Sequence, residues 1–349
     1  MEKKYELIKT EEVSCDGNIL YRIRALRKVG TIPEGTIGGF IEREENLSHE
    51  GNCWIGGYAK VYDFARVCDN AQVYDNAVVF GDLALVDGNA EVSKRAHVHN
   101  SHISGAAKIS GNADVYLSMV TDSATVNGDC QIICANVSGR AKICGEAYVG
   151  GGNRSIVSVG DDAFVCGTAH VTGEAVIGEQ VEISQNAKIG GNAQIMGNAK
   201  IYGNAKVDGF ARVCENAEVS GDACVEDDAI IRGCVLVCGA AHIGGHSHIC
   251  GDVTISGNAQ IGGADEGEKH AFISKPWHYV QVSPAFERKF TAYRNSFGGL
   301  TFCYCGLFFD EEGAKDKWLG QKEHIPTPMT NEARVALVRA CHLLILGAD

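Results

Sequence analysis

The chain has 349 residues, is 45% hydrophobic and 21% charged, and carries a formal charge of −13; this describes a globular chain and excludes direct nucleic-acid binding, which needs cationic side chains along the contact face. Gly is abundant at 43 residues while Pro numbers 5, which excludes collagen-like and proline-rich disordered patterns and predicts many corners with positive φ. Fifteen cysteines follow a charged start, "MEKKYELIKT", without an apolar signal core, and no apolar run reaches membrane-spanning length, so reduced thiols, a cytoplasmic location and no membrane contact are expected.

Residues 47 to 263 carry an internal repeat of six. From Val159 to Ile261 every sixth residue is Ile or Val, and two residues before each sits Ala, Val or, once, Ser247. Alternation along a short strand puts both residues on one side, and intervening pairs such as Gly191-Asn192 suit a left-handed corner. An α-helix would space its apolar residues by 3.6, and hairpins would reverse the chain at each turn; the unchanging order predicts a parallel solenoid. This region holds 24 Asp and Glu against 13 Lys and Arg. Its most acidic stretch, Glu215 to Asp228, reads either as a solvated face or as a docking surface for a basic partner.

The run "IGGNAQIMGNAKIYGNAKV" resembles the hexapeptide repeat of left-handed parallel β-helix proteins, a group that includes many acyltransferases and the γ-class carbonic anhydrases. The resemblance implies three hexads per triangular coil, a left-handed helix of about 12 coils over 47–263, roughly 58 Å long, and a homotrimer with cyclic symmetry. "GTIGGFIEREENLSHEGNCWI" resembles the start of the uncharacterised YdcK-type proteins, labelled transferases, in which a small β cap leads into such a helix. That likeness implies a cap over 1–46, with Gly38, Gly39, Phe40, Leu47, Ser48, Gly51, Cys53 and Trp54 in cap and first-coil packing.

Ahead of Val159 the step of six breaks: it is seven from Val79 to Val86, five at Val98–Ile103, Val115–Val120 and Ile132–Val137, and ten from Val149 to Val159, where "GGGNRS" intervenes. Every irregular step is the third one, so with three sides per coil all fall on one edge. Small residues at 84, 101, 118 and 135 line it. Either shortened corners simply stack on one another, or the edge is a contact face for a sister subunit or a ligand. The contact reading takes in Leu85, His99, His102, Tyr116, Leu117, Met119 and Asn136, with Asn153 and Arg154 from the outward loop, since exposed apolar residues would otherwise face water.

"AHVHNSH" places His97 and His99 on one outward side of a strand, roughly 7 Å apart. His97 and His102 stand five apart, the spacing that resemblance to the γ-class carbonic anhydrases associates with zinc, but the accompanying Arg and Asp pattern and a third ligand are lacking; no metal is expected, with these two as the weak candidates. In "AHIGGHSHI", His242 and His248 point outward from different sides and His246 sits at a corner, so the three are not expected to converge. Resemblance to the acyltransferases implies an outward histidine as general base beside acetyl-CoA or another acyl-CoA; His170, His242 and His248 are the candidates, although no long histidine-bearing loop or CoA signature accompanies them. The C-x3-C pairs Cys130/Cys134 and Cys234/Cys238 lack a second half for a zinc ribbon, and most cysteines read as small semi-apolar fillers.

After Gly263 the period stops. Alternating residues across Tyr279 to Val282, Phe290 to Arg294 and Leu300 to Phe309 predict a small antiparallel sheet, and "TNEARVALVRACHLLILGA" an amphipathic helix from near Thr330 with Val335, Leu337, Val338 and Leu343 on its apolar side. The tail resembles a module that follows hexapeptide helices in gut-bacterial and phage proteins, and it would cap the last coil. The expectation is an all-β solenoid in three parts: a β cap (1–46), a left-handed parallel β-helix (47–263) and an α+β module (264–349). Functionally it is a rigid oligomer, phage-related by resemblance, that binds a small molecule or a protein without a clear catalytic site. The alternative is a CoA-dependent acyltransferase.

Overall fold

The computed structural model describes residues 3–15, 17–152, 155–262, 271–273, 278–282, 290–295, 299–304, 307–310, 338–342 and 345. The chain forms a parallel β-solenoid of about twelve turns and divides into two compact units, Met1–Gln185 and Asn186–Asp349.

The N-terminal unit opens with three antiparallel strands, Tyr5–Cys15, Asn18–Ala25 and Ile37–Ile41. The third pairs in parallel with Lys60–Val61, Phe40 opposite Lys60, so the antiparallel sheet continues directly into the solenoid. Gly38 and Gly39 permit this close approach: a Cβ would stand 2.5 Å from the Ile55 carbonyl at Gly38 and 2.5 Å from the Ala59 carbonyl at Gly39. Leu47, Cys53 and Trp54 are buried in the same region. The Lys4 side chain is buried against the first coil, where its Nζ donates to the Cys53 carbonyl at 2.9 Å and lies 3.1 Å from Cys53 Sγ; burial pulls its pKa down.

Three parallel sheets then build up in this unit. The first contains Val78–Phe80, His97–His99, Asp114–Tyr116, Gln131–Ile133, Tyr148–Gly150 and His170–Thr172; the second runs from Arg66–Val67 through Leu85–Val86, His102–Ile103 and Met119–Val120 to Val176–Ile177; the third runs from Trp54–Ile55 to Glu182–Ile183. Registers such as Val98↔Val115 and Ile103↔Val120 set a coil of 17 residues here. Inside, each strand's Ile or Val and the small residue two before it are fully buried, as at Ala113 with Val115 and Ala124 with Val126. Each such Ile or Val contributes roughly 1.5–3 kcal/mol of gross transfer free energy, and the coils hold together through this core and their ladder hydrogen bonds.

In the C-terminal unit one sheet contains Lys188–Ile189, Lys206–Val207, Cys224–Val225, His242–Ile243 and Gln260–Ile261, and another contains Gln194–Ile195, Arg212–Val213, Ile230–Ile231, His248–Ile249 and Phe272–Ile273. The register is 18, as in Ile195↔Val213 and Val207↔Val225. A four-stranded antiparallel sheet follows, Tyr279–Val282, Phe290–Arg294, Leu300–Tyr304 and Leu307–Asp310. It closes the last coil with side-chain oxygens: Gln260 N–H donates to Thr291 Oγ1 at 3.1 Å and Gly262 N–H to Tyr293 Oη at 3.0 Å. These oxygens satisfy backbone donors that a bare final strand would expose. Residues 338–342 are helical, and Cys341 and Ile345 are buried; the predicted helix start near Thr330, with Val335, Leu337 and Leu343, lies outside the described residues. Among the described residues no helix is long and apolar enough to cross a membrane.

The corners explain the acidity of the repeat. Glycines such as Gly197 and Gly203 take positive φ there, but so do Asp63, Asp69, Asp75, Asp122, Asp161 and Asp227. Each of these six carboxylates accepts a backbone N–H from the next coil, at 2.8–3.1 Å. A short polar side chain tolerates the left-handed region, and the hydrogen bond it makes there offsets the conformational cost. The acidic stretch behaves likewise. Asp222 accepts from Asn204, Asp227 from the Gly245 N–H, and Glu226 and Asp228 face histidines of the following coil.

Candidate functional site

The irregular steps fall between the first and second sheets of the N-terminal unit. Where a regular corner has two residues, this one turns on a single left-handed residue: Asn100 at φ 49°, Leu117 at 47° and Cys134 at 51°. The residue that follows must be small because it points inward, and Ser101, Ser118 and Ala135 are buried. The serines lock the corner. Ser101 Oγ accepts the Ser118 N–H at 3.0 Å and donates to the His99 carbonyl at 2.9 Å. Ser118 Oγ repeats the pattern one coil on, accepting the Ala135 N–H at 3.1 Å and donating to the Tyr116 carbonyl at 2.8 Å.

This locked edge leaves apolar side chains in water: Leu83 is 71% exposed, Ile156 54%, Met119 46% and Leu117 42%. Leu85 is half-buried and Asn136 exposed. Asn153 and Arg154 lie outside the described residues. His99 and Tyr116 belong to a column of rings on the first sheet, Tyr62, Phe80, His99 and Tyr116, with successive centroids 5.2, 4.3 and 4.9 Å apart. His99 is further held by Asn100 Nδ2 at 3.0 Å from its Nε2. Both therefore pack within the column as well as bordering the exposed edge.

The remaining histidines are held by their neighbours one coil back. His102 Nε2 lies 3.0 Å from Asp87 Oδ2, His242 Nε2 2.7 Å from Glu226 Oε1, and His246 Nδ1 3.5 Å from Asp228 Oδ2. His170 stacks on Tyr148 with centroids 5.6 Å apart. His97 is exposed on the first sheet and His102 half-buried on the second. His242 and His248 stand on two different sheets of the C-terminal unit, with His246 at the corner between them. Burial, and then the charge of Arg232, hold the His248 pKa below the ordinary histidine value.

Two other groups bring three potential ligand atoms within 4.8 Å of one another: Cys224 with Glu226 and His242, and Cys68 with Asp69 and Asp87. Cys224 Sγ lies 3.5 Å from Glu226 Oε2. Burial and the Glu226 carboxylate push its thiol up to about 11, and burial with Asp69 does the same to Cys68. A seven-residue window around the histidines does not contain Cys224 or Glu226. The detectable sign is the coil length, since Cys224 and His242 are register partners 18 residues apart. The cysteines also differ from the expected fillers: Cys53 and Cys130 are inside, but Cys68, Cys144, Cys166, Cys214, Cys224, Cys238 and Cys250 are half-buried on the outer side. No protein-family model matches this chain, and no curated protein is similar to it.

Proposed function

We propose that this chain is a rigid binding protein that assembles with further copies of itself through the shortened edge and second sheet of its N-terminal unit, as a closed trimer that holds its ligand at the subunit boundary. The observation that carries the reading is the combination of exposed Leu83, Leu117, Met119 and Ile156 with a nearly carboxylate-free sheet. From Arg66 to Val176 the residues flanking each inward Val or Ile on this sheet include one carboxylate, Asp87, and His102 engages it. In a chain of −13, copies repel through most of their surface, so the neutral apolar edge is where a second copy meets least repulsion and gains most from burial. The serine-locked backbone beneath adds preorganisation, which lowers the entropy lost on association.

Light scattering on the eluted peak of the full chain tests this. A mass three times that of the monomer is expected, falling to the monomer in the triple variant Leu83→Asp, Leu117→Asn, Met119→Lys; Asn is suited to the left-handed backbone at 117. A monomeric parent, or a variant that assembles like the parent, overturns the reading. Thermal shift with acetyl-CoA supplies a second decision. No stabilisation is expected, and stabilisation lost in His248→Ala would favour an acyltransferase instead.

A further inference from the structure

We propose that Cys224, Glu226 and His242 bind one zinc-class divalent cation, with the fourth coordination position left to water or to a donor atom of a bound ligand. Cys224 and Glu226 flank the inward Val225 and so project from the same side of one strand. His242 is the register partner of Cys224 on the next coil. The three side chains thus converge by backbone pairing, on a sheet whose core is already closed beneath them. Their ligand atoms lie within 4.8 Å of one another, with Sγ to Oε2 at 3.5 Å and Oε1 to Nε2 at 2.7 Å. A tetrahedral zinc with bonds of about 2.0–2.3 Å spaces its ligand atoms roughly 3.3–3.8 Å apart, so small side-chain rotations seat the ion without moving the backbone.

The donor set selects the metal class. One thiolate, one imidazole and one carboxylate suit a borderline-soft ion, whereas magnesium and calcium favour oxygen ligands. Charge agrees: the thiolate and carboxylate balance a divalent cation, while the nearby Lys206 ammonium is engaged by Asp208 at 3.1 Å. Binding transfers the thiol proton to solvent as Sγ takes the metal, which replaces a protonated thiol facing a carboxylate with two anions sharing a cation. Gly244 leaves one side open, since a Cβ there would stand 3.7 Å from both Glu226 Cγ and His242 Cε1. Three protein ligands and an open side are the features of a zinc that engages a ligand or activates water, not of a closed structural site. The inference is independent of the trimer reading.

Chelator-treated full-length protein titrated with cobalt(II) should show one equivalent bound, with a thiolate-to-cobalt charge-transfer band and the intense visible bands of four-coordinate cobalt, both displaced by zinc. Cys224→Ser should abolish the charge-transfer band, and Glu226→Gln and His242→Gln should each weaken binding about tenfold or more. Cys234→Ser, an exposed cysteine of the same unit, and Cys68→Ser should leave the band intact. A band that survives Cys224→Ser, that disappears with Cys234→Ser or Cys68→Ser, or that never forms, overturns the proposal. If Cys224→Ser loses its far-ultraviolet circular dichroism, His242→Gln decides. The oligomeric mass of the same samples separates a failure here from a failure of the assembly reading.

Discussion

Replacing Ser118 with Ala tests the account of the shortened corner. The serine oxygen is the acceptor for the Ala135 N–H and a donor to the Tyr116 carbonyl, in a side chain only 4% exposed. Alanine fits the same space but leaves a buried N–H without its acceptor, which costs about 1–3 kcal/mol. In a solenoid each coil interacts with its neighbours, so the loss is felt locally before it is felt globally. A midpoint of about 2 kcal/mol corresponds to roughly 30-fold faster amide exchange for residues 116–137, with little change in distant coils. Hydrogen exchange followed by mass spectrometry reads this directly. Ser104→Ala, at a half-buried outward position one coil back, should stay within about 0.5 kcal/mol of the parent. If Ser118→Ala exchanges like the parent, or if Ser104→Ala loses as much, the corner is not held by buried serines and the argument for a preorganised edge fails with it.

Truncating the core residue Ile195 to Ala should cost about 2–5 kcal/mol, seen as a lower urea midpoint, because its side chain is fully buried. Asp122→Ala should be worse than Asp122→Asn, by about 1 kcal/mol: alanine loses the acceptor for the Gly139 N–H and is less tolerant of φ 58°. Thiol labelling at pH 8 should modify exposed Cys234 and spare Cys130, whose thiol burial pushes up to about 11, with Cys130 labelling rising as the pH climbs. Stability should follow the same groups. The unfolded chain releases thiol protons above about pH 9 that Cys68, Cys130 and Cys224 retain when folded, so the folded state binds more protons and the urea midpoint should fall between pH 9 and 11.

The solenoid was legible because one inward residue in six must be Ile or Val for every coil to close, and Val159 to Ile261 obey this without interruption. The shortened corner was legible for the same reason, since a missing residue shifts the period where it occurs. What the period does not encode is which outward residues meet across coils. His242 and Glu226 are 16 residues apart and His102 and Asp87 are 15 apart, separations that become contacts only once the coil length is applied to side chains outside the core. The acidic corners show a second gap. Asp63 and Asp122 look like solvated charges in sequence, and only backbone geometry reveals that they stand where glycine otherwise would, accepting an N–H from the turn ahead. Tyr116 and His99 are similar: composition places them on the outside, and stacking decides how much of each remains free.

The two coil lengths give the chain two gauges, and this limits how it can be resized. Deleting the 17 residues between Val98 and its register partner Val115, counting the latter, removes one complete turn and leaves each downstream valine facing inward. The same operation in the C-terminal unit takes 18, from Val207 to Val225. A cut of 18 in the first region, or of 17 in the second, would rotate every later strand by one position and bring lysines and histidines into the interior. Lengthening or shortening this protein is therefore a matter of whole turns in the local gauge, and an engineered spacer built from it would have a reach that changes in discrete steps of about 4.8 Å.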